Sequence, residues 1–334
     1  IADIRAVGPN VWNAWKAGLI RELYYRAQEE LAGAIPSERQ GERVEQAKSE
    51  LLERLADWPE DEIESHLARG YNDYWLAFDA DTLARHAKLI RKAENKGNNL
   101  HIESRVEKER DVTEIIIYTP DHPGLFASMA GAMALAGASV VDAKIMTMTN
   151  GMALDMFWIQ DSTGHAYAAL DRLKRLRERI KNALAGRLHS ARELAAAQKA
   201  APKSRTGAFK VPPRVLIDNK ASRRLTVIEI NGRDRLGLLH DVTAFLTASG
   251  LQISSAHIST YGARVVDVFY VRDVFGLKVE REEKLDALSD GLLDIVSEDW
   301  EPGKPEEKAK KTGKALSKRP KDKAKQAKGE ASPV

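Results

Sequence analysis

The chain of 334 residues contains no cysteine. That excludes a disulfide framework, a thiol nucleophile and a cysteine-ligated zinc, and it suits a reducing, cytoplasmic setting. Long apolar runs are missing too. No uninterrupted stretch approaches the roughly 20 residues of a spanning helix, so no helical membrane span is expected. Net charge is small, at a formal +3, but its distribution is uneven. Residues 301–334 hold ten Lys and one Arg against five acids, which leaves residues 1–300 at −3. A mildly acidic folded part argues against a nucleic-acid-binding core, where a basic stripe is needed. The first residues lack the basic-then-apolar layout of a signal peptide. Because the chain opens at Ile1 rather than Met, a longer parent is expected.

Residues 1–98 read as helical. Val11, Trp12, Trp15, Leu19, Leu23 and Tyr24 recur at three- and four-residue steps, which predicts a helix over 11–31 with one apolar stripe. A second is predicted over 37–56, shorter ones over 60–69 and 79–94, and a turn at Lys96-Gly97-Asn98-Asn99. At the other end, residues 301–334 are Lys, Ala, Pro and Gly with almost no large apolar side chain, so a disordered basic tail is expected.

From Asn99 the period changes to that of strands, and an internal repeat appears. Asp121-His122-Pro123-Gly124-Leu125-Phe126 returns as Asp234-Arg235-Leu236-Gly237-Leu238-Leu239, 113 residues later. Ala143-Lys144-Ile145 returns as Ala256-His257-Ile258 at the same offset, and Leu154-Asp155-Met156-Phe157 as Val266-Asp267-Val268-Phe269 at 112. In copy one, strands are predicted over 100–107, 112–119, 138–148 and 152–160, helices over 124–136 and 166–199, and a closing strand over 209–217. Copy two repeats the plan with strands 224–230, 251–260 and 264–273 and helices 237–249 and 281–297, without a visible closing strand. The fold class expected is α+β: a helical N-terminal segment, two ferredoxin-like βαββαβ modules and the tail.

A βαββαβ module whose first strand runs into Asp-x-x-Gly-Leu resembles the ACT domain, a small regulatory module that binds amino acids. Glycine lets the main chain approach a ligand closely, and the helix that starts there offers unpaired N–H groups to a carboxylate. An acidic residue before it can hold an ammonium group. The candidate amino-acid-binding residues are therefore Asp121, Gly124, Leu125, Asp234, Gly237 and Leu238. The bland alternative is that each Asp only caps its helix and each Gly only relieves a tight turn.

Further segments narrow the resemblance. Ala2-Asp3-Ile4-Arg5-Ala6-Val7-Gly8-Pro9, Tyr74-Trp75-Leu76, Gly151-x-Ala153-Leu154-Asp155-x-Phe157 and Pro212-Pro213-Arg214-Val215 resemble, in order, blocks of the bifunctional uridylyltransferase/uridylyl-removing enzyme family. The resemblance covers residues 1 to about 298. It implies the end of an HD phosphohydrolase domain at 1–35, a helical connector at 36–98, ACT domains at 99–220 and 221–300, and the tail at 301–334. It also implies glutamine as effector, the PII signal protein as partner of the full-length parent, and magnesium for that parent, with no catalytic or metal residues and no cofactor in this chain.

Two constellations take bland readings here. His240-Asp241 spells an HD dipeptide, but without metal partners in view it reads as part of a surface helix. Asp155 and Asp267 sit amid apolar strand residues, and alternation assigns them to a solvent or domain-interface face. Two functions from other classes remain beside amino-acid sensing: a ligand-free ACT-repeat interaction module, and an RNA-associated factor using the lysine tail.

Overall fold

The computed structural model describes residues 37–200, 212–222, 224–261 and 264–297. The helix expected over 11–31, the HD-domain end and the basic tail lie outside the described residues.

A helical layer comes first: α1 (Ser37–Arg54), α2 (Glu60–Leu67), α3 (Asn72–Ala77) and α4 (Ala80–Asn95). The start of α4 is fixed by Asp79, whose carboxylate accepts the Thr82 N–H at 2.7 Å. Its stripe of Leu83, Ala87, Ile90 and Ala93 is buried, as helical spacing requires. The short α3 was not predicted; it carries Tyr74 and Trp75, both buried.

Then follow β1 (His101–Glu107), β2 (Val112–Pro120), α5 (Leu125–Leu135), β3 (Ser139–Thr147), β4 (Met152–Gln160), α6 (Leu170–Leu184) and α7 (Ser190–Ala200). The second half comprises β5 (Arg214–Asp218), β6 (Thr226–Arg233), α8 (Leu238–Ala248), β7 (Leu251–Tyr261), β8 (Arg264–Asp273) and α9 (Glu282–Val296). All eight strands form one antiparallel sheet in the order β1-β2-β4-β3-β7-β8-β6-β5. The halves meet where β3 pairs with β7, and there Ala143 faces Ala256. These are the same position in the two repeats, so the halves are related by a local two-fold.

The ferredoxin-like core is present twice, with one correction. The strand expected to close copy one pairs instead with β6, as Arg214–Asp218 against residues 227–231. It is the outer strand that copy two lacked, and β1 fills the same place in copy one. Each half thus takes its fourth strand from the N-terminal side. A second correction concerns the helix expected over 166–199, which is two helices. Gly186, at φ 69°, ends the first, and Ser190 starts the second.

Helices α5, α6, α8 and α9 cover one face of the sheet, burying Ile115, Ile117 and Phe157 of the first half with Ile228, Phe269 and Val271 of the second. The other face is covered by the helical layer in the first half, where Ile116, Tyr118, Leu154, Met156 and Trp158 pack with Leu51, Trp75, Leu83 and Ile90. Strand β2 is consequently buried on both sides, while β8 alternates between buried and half-buried positions.

Candidate functional site

Each Asp-x-x-Gly-Leu segment forms the turn between the first core strand and its helix. Gly124 lies at φ 84°, ψ 2° and Gly237 at φ 77°, ψ 6°, the left-handed region that a side chain disfavours. The turns share their hydrogen bonds: Leu125 N–H to the His122 carbonyl and Leu238 N–H to the Arg235 carbonyl, both at 3.1 Å. Leu125 and Leu238 are buried as the anchors of their helices.

Neither helix start has a side-chain cap, so the aspartates are not spent on capping. Asp121 is exposed at the end of β2. Its N–H reaches the Gly151 carbonyl at 3.0 Å, and its Oδ2 accepts the Thr147 hydroxyl at 2.7 Å. Asp234 is exposed yet crowded by protein, and the loss of surrounding water raises its carboxyl above the usual range.

Behind each turn lies a second carboxylate that alternation had assigned to the wrong face. Asp155 and Asp267 are 1% and 2% exposed and share the helix-covered side with Phe157 and Phe269. The β4 face was misread because that strand is buried on both sides, which removes the alternation that the inference needs; on β8 the alternation is intact, and Asp267 falls in phase with the buried Val265, Phe269 and Val271 while Val266 and Val268 take the half-buried face. Among the described residues neither Asp155 oxygen has a hydrogen-bond partner of ordinary geometry, and burial, then the charge of Asp121, raises that carboxyl well above its usual value. The Met146 N–H offsets this only in part. Asp267 accepts the Ser259 N–H at 3.3 Å, and burial pushes it up to about 8, with Asp234 adding to the shift. Each half therefore couples an outer and an inner carboxyl at a left-handed glycine turn. That pairing suits a cationic group at the carboxyls, with a carboxylate on the first-turn N–H groups.

The turns differ in their surroundings. A Cβ on Gly124 meets nothing within 4 Å, whereas one on Gly237 comes within 3.1 Å of Leu194 and 3.4 Å of Gln198, both on α7. Gln198 also donates to the Leu236 carbonyl at 2.5 Å. Arg235 turns inward, pairing with Asp241 at 2.6 Å and donating to the Ile295 carbonyl at 3.3 Å. Helix α7 thus lies over the second turn. Its start had a readable signal, Ser190-x-x-Glu193, the pattern of a capping box.

The His240-Asp241 pair is buried rather than on the surface, because α8 packs against α5 on that side. Asp241 accepts from both His240 and Arg235, at 3.1 and 2.6 Å, so its charge is spent on pairing. Among the described residues no group of three or more His, Asp or Glu is placed to hold a metal ion, and no helix is long and apolar enough to cross a membrane.

Residues 221–294 match the ACR family N-terminal ACT domain. The chain is 51% identical over 89% of its length to a bifunctional uridylyltransferase/uridylyl-removing enzyme of Azospirillum brasilense, covering 32% of that protein. Proteins of the same name in Gluconobacter oxydans and Rhodospirillum rubrum are 48% and 46% identical over 88% and 89% of the chain, which covers 31% and 32% of them. The chain spans about a third of the length of these relatives. It is thus similar over nearly all its length to part of the bifunctional uridylyltransferase/uridylyl-removing enzymes, and its residues 221–294 match an ACT-domain model.

Proposed function

We propose that this chain is the regulatory part of a bifunctional uridylyltransferase/uridylyl-removing enzyme acting on the PII signal protein, and that it senses glutamine at its ACT modules. On this reading residues 1–35 end the hydrolase domain, 36–98 connect, and 99–220 and 221–300 are the two ACT domains, with β5 serving the second sheet from before that boundary. The catalytic chemistry, its magnesium and the cytoplasmic setting belong to the full-length parent.

The observation that carries the reading is the paired carboxyls at a left-handed glycine turn in register in both repeats. An α-amino acid presents an ammonium and a carboxylate on one carbon, and the carboxyls and helix-start N–H groups match those two charges. The turn at Asp121, Gly124 and Leu125 is the working site; at Asp234, Gly237 and Leu238 the ligand has to displace α7. Regulation follows if one arrangement of the parent's domains binds glutamine more tightly than the other.

Calorimetric titration of glutamine into the 334-residue chain, with glutamate and asparagine as controls, tests this. Saturable glutamine-selective heat that Gly124→Val abolishes is the expected result. A well-folded chain with no heat, or heat untouched by that variant, overturns it.

One observation favours interaction instead. The turn at residues 274–277 exposes Val274, Phe275 and Leu277 at 61%, 82% and 64%. A ligand-free module that docks through this apolar tip gives no glutamine heat and loses its partner with Phe275→Ser.

A further inference from the structure

The hydrogen bonds of each turn leave one carbonyl unspent. In the first turn the Leu125 N–H donates to the His122 carbonyl and the Ser128 N–H to the Gly124 carbonyl; in the second the Leu238 N–H donates to the Arg235 carbonyl and the Asp241 N–H to the Gly237 carbonyl. Pro123 and Leu236, the same position in the two repeats, lie between these acceptors. Among the described residues no backbone N–H reaches either of their carbonyls.

What reaches them is a side chain, and it differs between the halves. Gln198, on the last turn of α7, donates its side-chain amide to the Leu236 carbonyl at 2.5 Å. The same nitrogen stands 3.4 Å from where a Gly237 Cβ would lie, beside the buried Leu194. Gly237 is buried as a result, whereas Gly124 is half-buried. The Pro123 carbonyl has only the ring of its exposed neighbour His122 against it, with Nδ1 at 3.1 Å. A primary carboxamide from this chain is thus lodged at the second turn, and the first turn offers the same acceptor uncovered by α7. A carbonyl accepts and never donates. It therefore favours a carboxamide over a carboxylate, which at neutral pH has no proton to give and turns its charge toward the carbonyl lone pairs. That is the difference between the side chains of glutamine and glutamate.

We propose that this carbonyl is the group at each turn that recognises the carboxamide end of the ligand, and that Gln198 fills it in the second module as a tethered ligand. The proposal rests on the reading that the turns sense glutamine, and it adds how one of them is regulated. Free glutamine reaches the Leu236 carbonyl only when α7 moves aside, in competition with an amide held in the chain at about millimolar effective concentration. The second module therefore keeps its liganded arrangement while α7 is docked, and the first follows the glutamine level.

The test is backbone amide exchange at Gly237 and Leu238, read by NMR on the full chain with and without millimolar glutamine or glutamate. Gln198→Ala should speed exchange at both positions about fivefold or more, and glutamine but not glutamate should restore the protection. Gln198→Glu keeps the length of the side chain and sets a carboxylate against the carbonyl, so it should speed exchange at least as much. Gln198 is only half-buried near a helix end, so both variants keep the fold. Unchanged exchange in both variants overturns the proposal. So does protection that glutamine and glutamate restore equally, or that neither restores while the unaltered chain gives glutamine heat; these outcomes leave the sensing reading standing. An unaltered chain that gives no glutamine heat sinks the sensing reading itself, and the ligand role of Gln198 with it.

Discussion

The two halves of the sheet use one plan for different ends. Ile116, Tyr118, Leu154, Met156 and Trp158 of the first correspond to Glu229, Asn231, Val266, Val268 and Tyr270 of the second at the repeat offsets. The first set is buried under α1, α3 and α4, whereas Glu229, Val266, Val268 and Tyr270 are only partly buried. The turns after the hairpins tell the same story. Asp161 N–H reaches the His165 carbonyl and Asp273 N–H the Leu277 carbonyl, both at 2.7 Å, yet one turn carries Ser162 and Thr163 and the other Val274 and Phe275. One Asp and one Gly specify the backbone, so the remaining side chains are free to answer to the surroundings.

Breaking that contrast should cost most in the first half. Met156→Ala removes a fully buried side chain from the two-sided core and should cost about 2–5 kcal/mol, whereas Val268→Ala, its half-buried counterpart, should cost below about 1 kcal/mol. Urea denaturation of both variants measures the difference, and equal losses would show that the helical layer contributes little.

Next is the ion pair that joins this layer to the sheet. Glu114 is 2% exposed and bonded to Arg85 at 2.6 Å, with Arg105 at 3.6 Å. Arg85→Met strands the carboxylate and should cost about 3 kcal/mol. Adding Glu114→Val, which installs the residue found at Val227 of the second half, should recover most of it in a double-mutant cycle.

Proton linkage should distinguish the layers by sign. Burial lowers His66 to about 4 and His86 to about 3 in the helical layer, below their unfolded value, so stability there is full above about pH 6.5 and lost as pH falls toward these values. Asp267 behaves oppositely: raised to about 8 in the fold, it contributes fully below about pH 4 and loses that contribution as pH rises through 8. Asp267→Asn should flatten the alkaline limb of stability against pH, and His86→Phe the acid limb.

Effects at the turns should be smaller than those in the two-sided core. Gly124→Ala should cost about 1–2 kcal/mol from its φ of 84° alone, and Gly237→Ala somewhat more because Leu194 stands 3.1 Å from the new Cβ. Thermal melts of the pair order them, and a reversed order would mean that α7 yields freely.

Much of this was legible in the sequence, for physical reasons. The repeat marks the turns and helix starts, because glycine at positive φ recurs in both copies, and Asn150-Gly151 marks the hairpin of the first. The run Ile115-Ile116-Ile117 already signals burial on both sheet faces, although what covers the second face does not show in β2 itself. Pairing of β5 with β6 rather than with the first half is a long-range choice that no local pattern of Val215-Leu216-Ile217 records. Within the site, Gly124 and Gly237 were readable, whereas the inner carboxyls were misassigned, Asp155 because β4 is buried on both faces and Asp267 because its immediate neighbours Val266 and Val268, rather than Asp267 itself, lie on the half-buried face of β8. The cover that α7 places over the second turn depends on its break from α6, and Gly186 followed by Ser190 marked that break.

The central claim, an open first turn and a covered second, is tested most directly by the stoichiometry of glutamine binding. Calorimetry on the full chain should give one glutamine per chain, unaffected by Gly237→Val. Leu194→Ala combined with Gln198→Ala, which thins the cover, should add a second binding event. Two equivalent events in the unaltered chain, or a single event that Gly237→Val removes and Gly124→Val spares, would contradict the account.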